Sequence, residues 1–316
     1  MRFSFLKNFF LLQILIILFL FASDVSFSQE EKSHNELSKT TIQNTESNNP
    51  KESENQVDII EKVVDHDYVD FYFFGKLKLP QFPPVHIGGL TIDFSFTKSL
   101  FMMLLSSIIL ILFLKAAARK NSKNPVPKGI GNFVEVIMVF IRDEIVVPNI
   151  GKEGLRLLPF FFTVFFFILF ANIIGLIPFF AQPTKNINVT SGLALITFFM
   201  IQIMGIKKYG FFGYFKGLIP GGIPAFVLPI MIIVEFIGLF TKPFALLMRL
   251  FANINAGSII ILSLISLIFI MSYAGIVIAV PFSIFIYFLE LFVALLQAYI
   301  FTMLSSIFIS MAMHQH

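Results

Sequence analysis

The feature that most constrains the fold of this chain is a continuous apolar stretch from Leu228 to Ile270. As a helix, about 43 residues rising 1.5 Å each would extend roughly 64 Å, whereas the hydrocarbon core of a bilayer is about 30 Å thick. The stretch therefore predicts an integral membrane protein in which this segment forms either a steeply tilted long helix or a broken one.

Arg249 lies in the middle of this stretch. An arginine at the centre of a membrane helix costs about 2.5–3.5 kcal/mol on insertion, so such a residue usually faces water or a counter-ion and serves a function. Glu235 and Lys242 precede it at intervals of seven residues, and a helix drifts only about 20° per heptad, so the three charges share one stripe. Asn253 lies one turn beyond Arg249. The alternative is an arginine at a helix end that reaches the headgroups, with Pro243 marking a break.

The composition extends this interpretation to the whole chain. It is 57% hydrophobic and only 13% charged, with a mean hydropathy of +0.85, which is typical of a protein with several membrane spans. The net charge of +4 comes from basic residues beside apolar runs, which the positive-inside rule explains better than a nucleic-acid partner does. The absence of cysteine excludes disulfides, thiolate nucleophiles and cysteine metal sites.

Residues 1–28 have the pattern of a signal peptide. Arg2 and Lys7 are basic, Phe9–Phe21 is an apolar core of suitable length, and small residues follow it. The alternative is an uncleaved first membrane helix. Under either interpretation, the segment that follows is expected to lie outside the cytoplasm.

Residues 29–96 are predicted to form an extracytoplasmic tether and a small cap. Gln29–Val57 is polar, with almost nothing to bury, and Asp58–Phe96 contains aromatic residues and a proline-rich turn. His66 and Asp67 are neighbours without further ligands, so no metal site is expected there. Residues 97–316 form the predicted membrane domain.

The predicted fold class of that domain is an all-α polytopic membrane protein. It has about five transmembrane helices, the last two long and tilted, and an amphipathic interfacial helix at Gly131–Val147 that Pro148 ends. The spans are expected at Lys98–Leu114, Leu155–Phe180, Val189–Ile206, the central apolar stretch and Ile276–Met313, with a turn near Ser272–Gly275 between the last two.

Basic residues predict the orientation of the spans. A cluster from Lys115 to Lys128 follows the first span and Lys207 with Lys208 follows the third, which places both loops in the cytoplasm. The N-terminus is then outside and the C-terminus inside. The loop Ala181–Asn188 faces outward and has one cation, Lys185, whereas the glycine-rich segment Gly213–Pro224 is a cytoplasmic loop.

A second polar group lies in the last span. Glu290 and Gln297 are seven residues apart and share a face, which Ser283 and Tyr287 extend. A desolvated carboxylate can exchange protons near neutral pH. Glu290 is therefore interpreted as a proton or ion carrier, as a counter-ion for Arg249, or as a helix-end residue that points at headgroups.

Four strings in the sequence resemble the a subunit of F-type ATP synthases, the membrane stator, over roughly Pro125 to His316. They are LFANIIGLIP at Leu169–Pro178, INVT at Ile187–Thr190, TKPFALLMRLFANINAG at Thr241–Gly257 and LQAYIF at Leu296–Phe301. The third and fourth strings together are highly specific for this family.

The resemblance implies a non-catalytic subunit of the bacterial inner membrane with two half-channels that load and unload ring carboxylates with protons. It makes Arg249 the stator charge that faces those carboxylates. The proton path is then expected at Glu290, Gln297, Glu235, Asn253, Asn172 and Asn188. Protons are expected to enter from outside near Asn172, Asn188, Glu235 and Glu290. The implied partners are the c-ring, the b subunit, the F1 sector and membrane lipid. No cofactor or metal is implied, and sodium is the exception in the family.

The chain departs from the family pattern at several positions. Ser258 lies nine residues after the arginine, where the family has a carboxylate or histidine, while Glu290 occupies the position seven residues before the glutamine. Acidic residues of some members correspond here to Asn186 and Gly175. These differences predict a less acidic entry half-channel. They do not indicate which residue takes over the role of the carboxylate or histidine that the family has at the position of Ser258.

Two other classes of membrane protein are alternatives to this interpretation. A secondary transporter would have intramembrane charges and usually paired inverted repeats, which this sequence lacks. A membrane-embedded hydrolase would need a nucleophile with a base or a metal triad. The histidines of the mature chain all lie outside the spans: His34, His66, His86, His314 and His316.

Overall fold

The structure is a computed structural model that describes the backbone of four short strands between residues 68 and 92, and residues 98–123, 129–177, 180, 182–217 and 226–314. The predicted signal peptide at 1–28, the tether at 29–57 and the pair His66–Asp67 lie outside the described residues.

The strands form two separate antiparallel pairs. β1 (Tyr68–Phe71) pairs with β2 (Gly75–Lys78), and β3 (Val85–Ile87) pairs with β4 (Leu90–Ile92). A small cap was predicted here but no strands, because segments of three or four residues are too short for an alternating pattern to be recognised.

The membrane domain is all-α, as predicted. Its helices are α1 (Lys98–Lys123), α2 (Ile130–Phe140), α3 (Val147–Ile150), α4 (Leu158–Gly175), α5 (Ile187–Tyr209), α6 (Phe211–Gly217) and α7 (Leu228–Met313). Among the described residues five segments are long and apolar enough to cross a membrane: Lys98–Ala118, Lys152–Gly175, Ile187–Tyr209, Leu228–Leu264 and Ala279–Met313. The prediction of about five crossings is confirmed, and α7 contributes two of them.

Helix α7 doubles back on itself. Its helical backbone is 86 residues long, and Asn253 and Gln297 are 44 residues apart along it, which would separate them by about 66 Å in a straight helix. Instead their side chains form a hydrogen bond of 3.2 Å. The direction of α7 therefore reverses between Leu264 and Ala279, a range that includes the predicted turn at Ser272–Gly275, although the backbone there is helical. We call the two arms α7a (Leu228–Leu264) and α7b (Ala279–Met313).

Helix α4 forms the centre of the bundle. Apart from Thr163 and Asn172 it is apolar around its whole circumference, which is the pattern of a helix surrounded by other protein segments. Phe161, Phe166 and Phe167 are at most 1% exposed, and α4 packs against α1 and α7. The other spans surround α4, so that much of both α7 arms remains on the outside of the chain.

The predicted interfacial helix is longer than expected. Pro148 does not end it, because a π-helical turn at Ile141–Val146 precedes this proline and places it in the first turn of α3, where a missing N–H causes no loss. The segment ends at Gly151, whose φ of 80° is accessible to glycine. Phe133 and Val136 on α2 are 61% and 58% exposed, which fits the predicted amphipathic face.

The π-helical turn is joined to α7b by hydrogen bonds. The hydroxyl of Ser306 donates to the carbonyl of Ile145 at 3.2 Å, and the hydroxyl of Ser310 donates to the carbonyl of Asn149. The side-chain amide of Asn149 also donates to the Ile145 carbonyl, at 2.7 Å. Two backbone carbonyls in and just after the turn thus accept side-chain donors from α7b.

The prediction of a loop throughout Gly213–Pro224 was wrong in its first part. The chain turns at Gly210, with a φ of 74°, and continues as α6, which buries the ring of Tyr214. That ring lies against Gly205 on α5, and a Cβ there would lie 3.1 Å from Tyr214 Cζ and closer still to other ring atoms. The burial of this aromatic ring therefore makes the segment helical, although its glycine-rich sequence had predicted a loop. Residues 218–225 lie outside the described part.

Candidate functional site

The bundle has two ends that differ in their charged residues. One end carries the 3-10 turn Pro183–Lys185 between α4 and α5, and we call it the Lys185 end. The opposite end carries Lys207 and Lys208 in the last turn of α5, and we call it the Lys208 end.

The two arms of α7 bring polar residues together. The Nδ2 amide of Asn253 on α7a donates to Oε1 of Gln297 on α7b, and Gln297 is only 2% exposed. One turn further along α7a, the carboxyl group of Glu290 lies directly against Gly257, where a Cβ would be 3.0 Å from Glu290 Cδ. The arms are therefore in close contact at Glu290, because position 257 has no side chain.

Arg249 lies one turn before Asn253 on the exposed side of α7a. The helix continues through Pro243 and for 15 residues beyond Arg249 to Leu264, so the alternative of an arginine at a helix end is wrong. Arg249 belongs to neither of the ion pairs Arg142–Asp143 and Lys208–Glu153. No direct ion pair of the described residues therefore supports Glu290 as its counter-ion, and the Arg249 side chain is exposed on α7a.

A buried polar cluster lies at the Lys185 end, next to the end of α4. Asn172 is fully buried, and its Oδ1 accepts a hydrogen bond of 2.7 Å from the hydroxyl of Thr184, which is also fully buried. The backbone of Gln182 covers Gly175, where a Cβ would lie 2.7 Å from Gln182 Cα. Asn188 is 3% exposed in the first turn of α5.

Two polar atoms of this cluster have no protein partner among the described residues, Asn172 Nδ2 and Gln182 Oε1. A buried polar atom without a hydrogen bond costs about 1–3 kcal/mol. One is a donor and the other an acceptor, and polar sites of this kind commonly bind a water molecule. The cluster thus has the chemistry to hold water inside the bundle at the Lys185 end.

The turn Pro183–Lys185 also contacts α7a. The side-chain amide of Asn255 donates to the backbone carbonyl of Lys185 at 3.3 Å. Burial lowers the pKa of the Lys185 ammonium group, the Glu290 carboxylate partly offsets this by raising it, and Lys98 lowers it further. Glu290 lies against Gly257, two residues after Asn255 on α7a, so it lies at the level of the Lys185 end.

Glu235 lies elsewhere. It precedes Asn255 by 20 residues, which corresponds to about 30 Å along α7a. It also acts electrostatically on Tyr214, which belongs to α6 at the Lys208 end. The expectation that Glu235 and Glu290 lie on one entry path therefore disagrees with the geometry. Helix α7a is long enough that Glu235 lies at one end of the bundle and the segment that contacts Glu290 lies at the other.

Three residues that shape this site were not predicted from the sequence: Thr184, Asn255 and Gly257. A signal for Gly257 was present, because antiparallel pairing of Asn253 with Gln297 brings the segment after Asn253 opposite the segment before Gln297, which contains Glu290. No comparable signal identified Thr184, because its hydrogen bond to Asn172 depends on how α4 packs against the turn, which the sequence does not indicate.

Comparisons with known proteins agree on one family. Residues 100–310 match the profile of the ATP synthase A chain family. The chain is 46% identical to the ATP synthase subunit a of Chloroherpeton thalassium over 261 residues, which cover 81% of this chain and 77% of that protein. It is 48% identical to the subunit a of Pelodictyon phaeoclathratiforme over 80% of this chain and 75% of the relative. It is 47% identical to the subunit a of Myxococcus xanthus over 71% of this chain and 76% of that relative.

Proposed function

This chain belongs to the ATP synthase A chain family, and we propose that it is the proton-conducting membrane stator of a bacterial ATP synthase. The observation that carries the proposal is the position of Arg249, which is exposed on α7a one turn from the polar contact between the arms. A permanent positive charge on the outer face of a membrane helix requires an anionic partner outside the chain. The carboxylates of a c-ring are such partners.

Arg249 has two tasks in this mechanism. It favours the ionised form of the ring carboxylate that passes it, because opposite charges attract strongly where water is scarce. It also blocks direct proton transfer between the two half-channels, because a guanidinium group is not deprotonated in proteins. A ring carboxyl that has accepted a proton is neutral and can enter lipid, which an ionised one cannot do at acceptable cost.

Protons are proposed to enter at the Lys185 end. Asn172 and Asn188 form the buried polar part of the entry path, and Glu290 exchanges the proton with the ring beside Asn253 and Gln297. The unpartnered atoms of Asn172 and Gln182 support water in this path. Glu235 is proposed to belong to the exit path at the Lys208 end, which revises its expected place beside Glu290. The transmembrane potential supplies about 2.3 kcal/mol per charge per 100 mV.

The proposed orientation places the Lys185 end outside the cytoplasm and the Lys208 end inside. The chain is then a multi-pass protein of the bacterial inner membrane with an exported N-terminus, a signal peptide at residues 1–28 and a cytoplasmic C-terminus. Its proposed partners are the c-ring, the b subunit, the F1 sector and lipid. It carries out no bond chemistry itself, and the proposed ion is the proton rather than sodium.

Purification of the tagged chain from its native membrane tests the proposal. The c-ring and F1 should copurify with it, and the reconstituted complex should pump protons when it is given ATP. A chain that purifies without a ring and transports a solute or cleaves a substrate would instead be a transporter or a membrane-embedded hydrolase. Omission of sodium from all buffers decides the ion, because a proton-coupled complex should pump at the same rate without it.

A further inference from the structure

We propose that Gln182 is a positioning residue of the entry path, whose side-chain amide and that of Asn172 together hold one buried water molecule that passes protons inward. This inference rests on the proposed function and adds a residue that no sequence motif had indicated. Three features of the structure support it: the space beside Gly175, the hydrogen bonds that orient the two amides, and the polar atoms that these bonds leave open.

The side chain of Gln182 occupies the space beside Gly175, at the end of α4. A Cβ at position 175 would lie 2.6 Å from the Cβ of Gln182 and would overlap its Cγ. Glycine permits a close approach that no other residue allows, so the absence of a side chain at position 175 lets Gln182 lie across the end of α4. Gln182 is only 5% exposed there, although it precedes a short turn between two helices.

The two amides are oriented by different hydrogen bonds. Nε2 of Gln182 donates to the backbone carbonyl of Asn172 at 3.5 Å, and Oδ1 of Asn172 accepts from the hydroxyl of Thr184 at 2.7 Å. Because the bond from Gln182 ends on Asn172 itself, both amides lie in one small region at the end of α4. Each amide has one polar atom bonded to the protein and one without a partner among the described residues, namely Gln182 Oε1 and Asn172 Nδ2.

The two open atoms are an acceptor and a donor, and a water molecule can bond to both. Buried waters usually make about three hydrogen bonds. A water that accepts from Asn172 Nδ2 and donates to Gln182 Oε1 keeps one lone pair and one O–H for neighbouring waters. It can take up a proton on that lone pair and release the proton of the free O–H, so that it is again water after the transfer.

The three side chains that form this site are neutral: Asn172, Gln182 and Thr184. A carboxylate in their place would bind the passing proton, and an ammonium group would repel it. An amide does neither, because it offers one donor side and one acceptor side without a charge. The site therefore fixes the position of the water and leaves its proton free to move.

The test measures ATP synthesis by proteoliposomes that contain the whole complex with F1 outside, so that the lumen contacts the Lys185 end. A constant potential and pH difference drive the synthesis, and rates are compared per unit of ATPase activity retained on the membranes, which reports assembly. Four complexes are compared: the unaltered one, Gln182→Met, Gln182→Glu and, as the control, Thr197→Val. Thr197 is a fully buried polar residue of the same bundle whose hydroxyl donates to the Leu193 carbonyl of its own helix.

Gln182→Met keeps the length and shape of the side chain but offers only a weak acceptor. We expect synthesis to fall about tenfold, because the loss of one hydrogen bond lowers the occupancy of a site by up to roughly that factor. Gln182→Glu should keep most of the rate, because its carboxyl group still presents an acceptor oxygen to the water and, when protonated, can donate to the Asn172 carbonyl. Thr197→Val should match the unaltered complex.

An unchanged rate in Gln182→Met overturns the inference, because the packing of the side chain would then suffice. Equal losses in Gln182→Met and Gln182→Glu overturn it as well, since the acceptor oxygen would then be irrelevant. So does a loss in Thr197→Val as large as that in Gln182→Met, which would indicate a general sensitivity to the removal of buried polar groups. Failure of the proposed function would differ from all three, because the unaltered complex would then make no ATP.

Discussion

Asn253 and Gln297 meet side chain to side chain, with 3.2 Å between Nδ2 and Oε1, although one long helix carries both. An interhelical hydrogen bond of this kind contributes about 0.6–2 kcal/mol in a membrane. Its more important effect is on register, because a fixed pairing of the two arms fixes where Arg249 lies relative to Glu290. Four predictions depend on this arrangement and on the orientation proposed for it.

The first prediction concerns Gly257. Gly257→Ala adds a methyl group where the Glu290 carboxyl lies, so either the arms separate or Glu290 moves, at a cost of about 1–3 kcal/mol. ATP-driven proton pumping by reconstituted complexes should fall. Gly238→Ala is the matched control, because a Cβ at Gly238 on the same arm meets no atom within 4 Å. Equal pumping by both variants would contradict the close contact at Gly257.

The second prediction concerns Glu290. Glu290→Gln keeps the shape of the side chain but cannot titrate, so ATP-driven pumping should fall about tenfold or more, since positioned proton-transfer groups contribute about 10²–10⁴-fold. The complex should still assemble, and Glu144→Gln, an exposed carboxylate on the π-helical turn, should pump normally. Normal pumping by Glu290→Gln would remove this residue from the path. Glu235 would not be its substitute, because it lies at the other end of the bundle.

The third prediction concerns Arg249. Arg249→Ala should abolish coupled ATP synthesis and ATP-driven pumping in an assembled complex, and vesicles that contain it should leak protons when a potential is imposed. Arg249→Lys should restore little, because a desolvated lysine can lose its proton and lacks the planar guanidinium group. Passive proton flux is the decisive measurement, with Arg156→Ala, an exposed arginine, as the control. A fully coupled Arg249→Ala complex would refute the assigned role.

The fourth prediction concerns orientation. A reporter that is active only in the cytoplasm should work when it is fused after His316, because five crossings from an exported N-terminus end inside. A truncated chain fused after Asn186, in the turn at the Lys185 end, should activate only a periplasmic reporter. The opposite result at both positions would invert the bundle and exchange the proposed entry and exit.

The sequence predicted the membrane helices well because their signals are local. Long apolar runs gave the five spans, and the seven-residue spacing of Glu235, Lys242 and Arg249 gave a stripe on a helix that the structure contains. Motif strings gave the family. In each case the residues that determine the outcome belong to one segment of the sequence or to a short string within it.

The errors arose where distant contacts decide the structure. Pro148 looked like a helix end, but the π-helical turn before it bonds to α7b, more than 150 residues away. Gly213 looked like part of a loop, but burial of Tyr214 against Gly205 makes that segment helical. Glu235 was expected near the entry beside Glu290, whereas the length of α7a separates them. A reading of neighbouring residues cannot reveal any of these contacts.

The hydrogen bonds between α7b and the π-helical turn have a mechanical consequence. In the proposed mechanism, a ring that rotates against Arg249 would push the two arms of α7 sideways, and fluid lipid would offer them little resistance. The bonds from Ser306 and Ser310 to backbone carbonyls connect α7b to the segment that includes α2 and α3. The reaction force of rotation therefore passes through backbone atoms of that segment, which would make the segment the natural place for a peripheral stalk to hold the subunit still.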